Sequence, residues 1–370
     1  MTASEFKEFV RSHGTKKAAE EVDVVTTGTF GAMCSSGAYI NFGHSEPPIK
    51  MQKIWLDGVP AQAGLAAVDG YIGATALDET NNMAHGGAHV IVALVRGKAV
   101  RLRATGYGTD CYPRKEIDTY ISLRTVNQAV LMNVRNSYQN YAAATNSGPK
   151  TLYTYMGKLL PEFGNATFSS AGELSPLLND PYYRTIGIGT RIFLGGAQGH
   201  VIWEGTQFNP GAPRTPNGVP KRPAGSLAVV GDLKQMSPEF LKGLTFTRYG
   251  SSLGLGIGVP IPILDEEMAK CCAVTDRDIL AAVFDYGQPT RSRPVLKEVS
   301  YSELRSGEID IKGKRVPTSS LSSIFKARQV SEVLKSWILK GEFMIQEPVQ
   351  SFPKDRSVKT LDVRTEREAT

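Results

Sequence analysis

Glycine sets the first constraint on this chain: 37 of its 370 residues are glycine, scattered without a period. An aperiodic spread excludes a collagen-like helix and does not describe a flexible linker. It calls for many tight turns and for backbone that must approach something closely. The stretch "TTGTFGAMCSSGAYINFG", Thr26 to Gly43, is the sharpest case. Here Cys34 stands among Gly28, Gly31, Ala32, Ser35, Ser36, Gly37 and Ala38. A packed core surrounds a sulfur with Leu, Ile and Val; this one has little side-chain bulk around it and many backbone N–H groups nearby in sequence. The stretch is either tightly wound backbone or a place where something must reach the sulfur.

Hydrophobic residues at 41% and charged residues at 21% are those of an ordinary globular protein with enough chain for a sizeable core. The N-terminus "MTASEFKEFVRSHGTKKAAEE" lacks the apolar centre of a signal peptide, and no run of about 18 apolar residues occurs. Four cysteines without a C-x-x-C pair make neither a disulfide framework nor a structural zinc site, and the expected compartment is the cytoplasm. The net charge of +6 is spread along the chain; its denser patches, "RTPNGVPKRP" and "KGKRVP", read as loops or hairpins. Nucleic acid is therefore not an expected partner, whereas a small anionic substrate or an acidic protein suits the excess.

The pattern predicts a mixed α/β (α+β) fold with a substantial mixed sheet, Gly-rich loops and a C-terminal helix. A helix is expected over 3–22 with Ser4 as N-cap, then a short strand in "VDVVTTGTF". Residues 89–105 read as a hairpin turning at Arg96-Gly97-Lys98, which places Cys111 on a loop past a strand end. Leu123, Val126, Val130, Val134, Tyr138 and Tyr141 recur at steps of three and four and predict a helix over 121–144. Strands are expected in 183–208, 226–233 and 244–263, a helix in "DRDILAAVFDYG", and a hairpin turning at Lys312-Gly313. Val330, Val333, Leu334, Trp337 and Ile338 make one face of a final helix ended by Gly341. The segment 209–225 carries five prolines and three glycines. It is read as a lid-like loop bordering the Cys34 pocket or, as the competing reading, an interface loop for subunit contact, within a single catalytic domain over 1–350 that two lobes divided near this loop could make up; 351–370 is a polar tail.

A reactive cysteine needs exposure and a stabilised thiolate, and the backbone around Cys34 can supply both; the other reading is an inert, small core residue. Cys111 has Arg114 and Lys115 close by in sequence, which could lower its pKa, or the loop leaves it idle. The vicinal pair Cys271-Cys272 reads as core packing. His85 and His89 have metal-ligand spacing, but Gly86-Gly87 argues against a helix and no third ligand is signalled, so no metal is expected. "GLGIG" is too short for a dinucleotide fingerprint, and no nucleotide cofactor is expected.

The Cys34 block "GTFGAMCSSGAYINFGHSEPPIKM", the Cys111 block "GYGTDCYPRKEI", "GIGTRIFLGGAQGHVIWEGTQF", "GDLKQM" and the closing "SGEIDIKGKRVPTSSLSSIFKARQVSEVLKSWILKGEF" together resemble the homocysteine biosynthesis family, the L-aspartate semialdehyde sulfurtransferases of methanogens and anaerobic bacteria. The likeness runs over roughly residues 5–350. Many members add a C-terminal pair of CBS domains; 27 residues follow Phe343 here, which reads as the form without them. The resemblance implies a two-cysteine enzyme acting on aspartate semialdehyde and sulfide. In it Cys34 matches the persulfide-carrying cysteine and Cys111 the assisting one. No resident cofactor is implied; the electrons come from an external ferredoxin-like iron–sulfur protein, and the basic chain suits an acidic donor. Under this reading Ser35, Ser36 and Gly37 face the substrate, Arg191 binds its carboxylate, and His44 or His200 protonates the departing aldehyde oxygen. A sulfur carrier or relay is the alternative function, and a homodimer is left open.

Overall fold

A computed structural model describes residues 1–80, 83–137, 139–359 and 361–363. Its centre is a nine-stranded antiparallel sheet. Eight strands run side by side in the order 241–246, 250–258, 191–194, 197–204, 227–232, 128–136, 36–41 and 69–73, and the ninth, Thr29–Ala32, pairs with 250–258. The last point shapes the molecule. Thr29–Ala32 lies at one end of the sheet and Ser36–Asn41 near the other, yet only three residues separate them. The sheet must therefore curl until its ends nearly meet, and Cys34 sits at the closure.

Strand Gly250–Gly258, "GSSLGLGIG", is buried along its whole length. Its glycines give the C-terminal helix Ile324–Leu339 a flat seat. A Cβ on Gly258 would stand 2.7 Å from Val330 Cγ1, and one on Gly28 only 2.2 Å from the Ala327 carbonyl oxygen. Here glycine serves close packing of helix on sheet rather than a phosphate. Val330 and Leu334 bury against Phe193, Phe240 and Phe343 as the expected apolar face, and Gly341 closes the helix at φ 72°.

A six-stranded mixed sheet packs beside the first, in the order 295–300, 280–285, 143–145, 166–168, 314–320 and 308–311. Its 143–145/280–285 and 166–168/314–320 pairs are parallel. The expected hairpin is present, Glu308–Ile311 with Lys314–Ser320, and its turn residues Lys312 and Gly313 both take positive φ. A four-stranded antiparallel sheet, in the order 59–61, 53–56, 100–105 and 116–121, and two antiparallel pairs, 24–26 with 260–262 and 152–154 with 157–159, make up the rest of the β structure described.

The first helix, Ala3–Glu21, is capped by Thr2 rather than Ser4: the Thr2 hydroxyl accepts from the Glu5 N–H, and the Glu5 carboxylate accepts from the Thr2 N–H. Three expectations fail. Residues 87–95 form a helix, not the first half of a hairpin, because Ala88, Val90, Ile91, Val92 and Leu94 are buried all round, and a short wholly apolar run carries no period to separate helix from strand. The helix expected over 121–144 is instead strand Gln128–Asn136 in mid-sheet, burying Ala129, Leu131 and Asn133 in alternation; Tyr138 lies outside the described residues. "DRDILAAVFDYG" likewise yields strand Leu280–Asp285, with Ala281, Val283 and Asp285 inward.

The proline-rich segment 209–225 joins strands Ala197–Glu204 and Leu227–Asp232, which pair with each other. It is thus the long connection of a hairpin within one sheet. Arg214 pins it down, donating to Gln139 Oε1 at 3.0 Å and to the Gly218 carbonyl at 2.9 Å. The start of the tail is also packed: Phe352 is buried against Tyr183 and Phe208. Among the described residues no helix is long and apolar enough to cross a membrane.

Candidate active site

Cys34 occupies a turn closed by the Ser36 N–H on the Met33 carbonyl at 3.2 Å. Both sides of the turn are fastened. Met33 N–H donates to the Leu253 carbonyl at 2.7 Å. Ser36 Oγ donates to the Met33 carbonyl at 2.8 Å and accepts from Asn133 Nδ2 at 2.7 Å. Asn133 is fully buried, and its Oδ1 accepts from the Arg135 N–H at 2.9 Å and from Asn136 Nδ2 at 3.0 Å. One asparagine thereby holds the cysteine turn and the end of the neighbouring strand in fixed relation. The sulfur itself is half-buried and lies 3.2 Å from Ser252 Oγ.

The thiol faces a cavity of about 370 Å³, ample for a ligand of a few heavy atoms. Ser35, Arg135, Asn136 and Ser137 line it from the curled sheet, and Tyr155, Ser169 and Ser170 from the mixed sheet's side. Tyr249 completes the wall; burial, with Cys34 as a second influence, raises its pKa, so the phenol stays protonated at neutral pH. Among the described lining residues there is one cation, Arg135, and no carboxylate. A second cavity of about 510 Å³ adjoins it, sharing Tyr141, Tyr155, Met156 and Gln207.

The structure gathers some of the expected site residues and disperses others. Cys34 and Ser35 line the cavity. Ser36 does not: its hydroxyl is spent on Met33 and Asn133 beneath the turn. Gly37 does not either. It is glycine because a Cβ there would lie 2.2 Å from Tyr71 Oη. The small residues around Cys34 thus serve close packing as much as access, with Gly31, Ala32 and Ser35 among those beside it reaching the open space.

Arg191 and His200 are register partners in the hairpin 191–194/197–204, and neither lines the cavity. His200 is held toward neutrality by desolvation and by the Arg191 charge. His44 stacks at 6.3 Å on Tyr112, the sequence neighbour of the exposed Cys111, and neither His44 nor Cys111 lines the cavity. Arg114 is occupied with the Glu46 and Pro47 carbonyls. The segment 209–225 contributes Asn209 and Pro223 to the adjoining cavity and nothing to the Cys34 cavity itself. Arg135 and Tyr249 were missed. Arg135 was hidden because its segment was read as a helix; Tyr249 precedes the buried strand Gly250–Gly258, and nothing in "TRYGSS" marks it.

Cys271 and Cys272 are buried, as expected, and Cys272 Sγ donates to the Asn179 carbonyl at 3.3 Å. Burial pushes their thiols up to about 11 and about 12. At pH 8 their thiolate fractions are on the order of 10⁻³ and 10⁻⁴. Iodoacetamide on the native protein is therefore expected to modify Cys111 and Cys34 and to spare this pair, whereas all four react in denaturant. Mass spectrometry of the labelled peptides checks this; native labelling of Cys272 would contradict it. No group of three metal-ligating side chains occurs among the described residues.

The profile of the family described as homocysteine biosynthesis enzyme, sulfur-incorporation, matches residues 1–345. An L-aspartate semialdehyde sulfurtransferase of Methanosarcina acetivorans is 53% identical over 361 residues, covering 98% of this chain and 70% of the relative. Its namesake in Methanocaldococcus jannaschii is 54% identical over 366 residues, covering 95% and 70%. An uncharacterized protein of Methanothermobacter thermautotrophicus is 30% identical over 319 residues. No solved structure matches. Cys34 thus faces a cavity lined by both polar and apolar side chains. The chain belongs to the homocysteine biosynthesis family of sulfur-incorporating enzymes.

Proposed function

We propose that this protein is an L-aspartate semialdehyde sulfurtransferase that forms homocysteine, with Cys34 carrying the sulfur as a persulfide. The observation that carries the reading is the placement of Cys34: half-buried, hydrogen-bonded to Ser252 Oγ and facing a cavity of small-molecule size. A sulfur carrier would offer its thiol to a protein surface instead, which favours the enzyme over the carrier.

The electron count defines what else is needed. An aldehyde and a persulfide, R–CHO and Cys–S–SH, take up four electrons and four protons to give R–CH₂–SH, Cys–SH and water. The carbon–sulfur bond forms as the carbon–oxygen bond is lost, and the sulfur–sulfur bond is cleaved reductively. An external iron–sulfur protein is the proposed donor, and the net charge of +6 suits an acidic one. Tyr249, protonated and in the cavity wall, replaces His44 and His200 as the proposed hydrogen-bond donor to the aldehyde oxygen. Cys111, exposed on its own loop, is proposed to exchange sulfur or reducing equivalents with the outside rather than to act within the cavity. The chemistry belongs in the reducing cytoplasm of an anaerobe, where free thiols persist.

Charging Cys34 from sulfide would need a two-electron oxidant, so the outer sulfur is taken from a sulfane-sulfur donor, polysulfide, which leaves one sulfur shorter as the persulfide forms. The test is an anaerobic incubation of the protein with polysulfide, aspartate semialdehyde and a low-potential reductant. Homocysteine is the expected product, and its absence with reductant and both substrates in excess would overturn the assignment.

A further inference from the structure

We propose that Arg135 is the specificity-determining residue of this site: it receives the substrate's α-carboxylate, within a cradle for an α-amino-acid head that also includes Asn136 and Ser137. The inference rests on the reading above that the substrate is an amino-acid aldehyde.

Register places the arginine. Strand Ser36–Asn41 pairs with Gln128–Asn136 in antiparallel register, with Ser36 opposite Asn133. Extending that register by two residues sets Cys34 across from Arg135. The hydrogen bonds agree, since Asn133 ties to Ser36 on one side and to the Arg135 N–H on the other. Cys34 and Arg135 therefore enter the same cavity from adjacent strand ends. Ser137, at φ 49°, takes the chain out of the strand immediately afterwards.

Charge and unmet hydrogen bonding give the ligand class. The Arg135 guanidinium makes no ion pair or hydrogen bond with the described residues, and no carboxylate among them lines the cavity. A lone guanidinium there favours an anion, and its planar fork matches a carboxylate. The adjoining wall holds two buried atoms with no partner, Asn136 Oδ1 and Ser137 Oγ. The Asn136 amide nitrogen already donates to Asn133 Oδ1 and to the Leu227 carbonyl, which fixes the oxygen as the free end. Burying acceptors without donors is unfavourable, and an ammonium group arriving beside them supplies the donors once the Ser137 hydroxyl turns toward it. A guanidinium next to two unfilled acceptors is the complement of a zwitterionic head, with the aldehyde end left for Cys34.

The experiment reads Cys34 alkylation in the Cys111→Ser background, so that it does not depend on homocysteine formation. Anionic iodoacetate and neutral iodoacetamide compete for the same sulfur. Arg135→Gln is expected to lower the iodoacetate-to-iodoacetamide rate ratio by roughly tenfold, with Arg135→Lys in between. L-2-aminobutyrate is expected to protect Cys34 while butyrate and N-acetyl-L-2-aminobutyrate protect less, and Arg135→Gln abolishes the difference. An iodoacetamide rate within about threefold of the parent shows that the turn has kept its form. An unchanged ratio in such a folded Arg135→Gln variant overturns the proposal, as does protection by butyrate equal to that by L-2-aminobutyrate. If the parent protein makes no homocysteine yet shows the selectivity, the amino-acid site stands and the sulfurtransferase reading falls. If homocysteine forms while the ratio does not move, Arg135 falls and the sulfurtransferase stands.

Discussion

Cys34→Ser is expected to abolish homocysteine formation, to below about one part in 10³ of the parent rate, because a hydroxyl neither forms a persulfide nor leaves by reductive sulfur–sulfur cleavage. The change is nearly isosteric, and the sulfur's polar contact among the described residues, to Ser252 Oγ, is replaceable by a hydroxyl. Stability should therefore move by less than about 0.5 kcal/mol. That separation makes the result interpretable: a folded, inactive protein indicts the chemistry of the sulfur. Cys111→Ser should retain measurable turnover, since Cys111 is exposed and outside the cavity lining. Homocysteine production is measured for both variants beside denaturant unfolding curves. Near-normal turnover in Cys34→Ser removes the persulfide seat from this position.

That Cys34 is open to a cavity was legible in the sequence, and the geometry around it only in part. The Cys34 stretch announces itself because small residues around a thiol are unusual, and the strands after residue 183 show through their glycine punctuation. The final helix is legible for a different reason: a single apolar face at helical spacing, closed by Gly341, admits one reading. The helix Gly87–Val95 and the strand Gln128–Asn136 are illegible for opposite reasons. The first is buried all round and shows no period. The second carries a chance spacing of three and four that imitates a helix while its true alternation runs through Ala129, Leu131 and Asn133. That second error hid the cation of the site. Read as a helix, "VLMNVRN" gives Arg135 no relation to Cys34; read as a strand, it sets the two across from each other. The choice of Arg191 shows the limit from the other side. A Gly-rich strand next to an arginine looks like a ligand cradle, and its hairpin register with His200 is local, but where that hairpin sits relative to Cys34 is decided by its long-range pairing with 250–258 and 227–232, which local sequence does not encode.

Asn133→Leu is expected to cause the largest loss of stability of any single change near the cavity, about 2–4 kcal/mol. The side chains share a branching pattern, but leucine's methyl groups are bulkier than the amide oxygen and nitrogen, so overpacking at this fully buried position adds to the cost. The rest of the loss is in hydrogen bonds. Asn133 is fully buried; its amide donates to Ser36 Oγ, and its carbonyl accepts from the Arg135 N–H and from Asn136 Nδ2. Leucine removes all three. Ser36 can still donate to Met33 and Asn136 to Leu227, but the Arg135 N–H is left without its acceptor. Denaturant unfolding measures the stability, and the alkylation ratio at Cys34 measures the geometry. If Asn133 positions Cys34 relative to Arg135, the iodoacetate preference falls in protein that is still folded, by an amount approaching that of Arg135→Gln. Asn133→Asp tests the hydrogen bonds separately. It retains the acceptor for the Arg135 N–H and loses the donor to Ser36, so it should keep more of the preference than leucine does. A folded Asn133→Leu protein with full stability and an unaltered ratio would show that the turn and the strand end hold their relation without this residue.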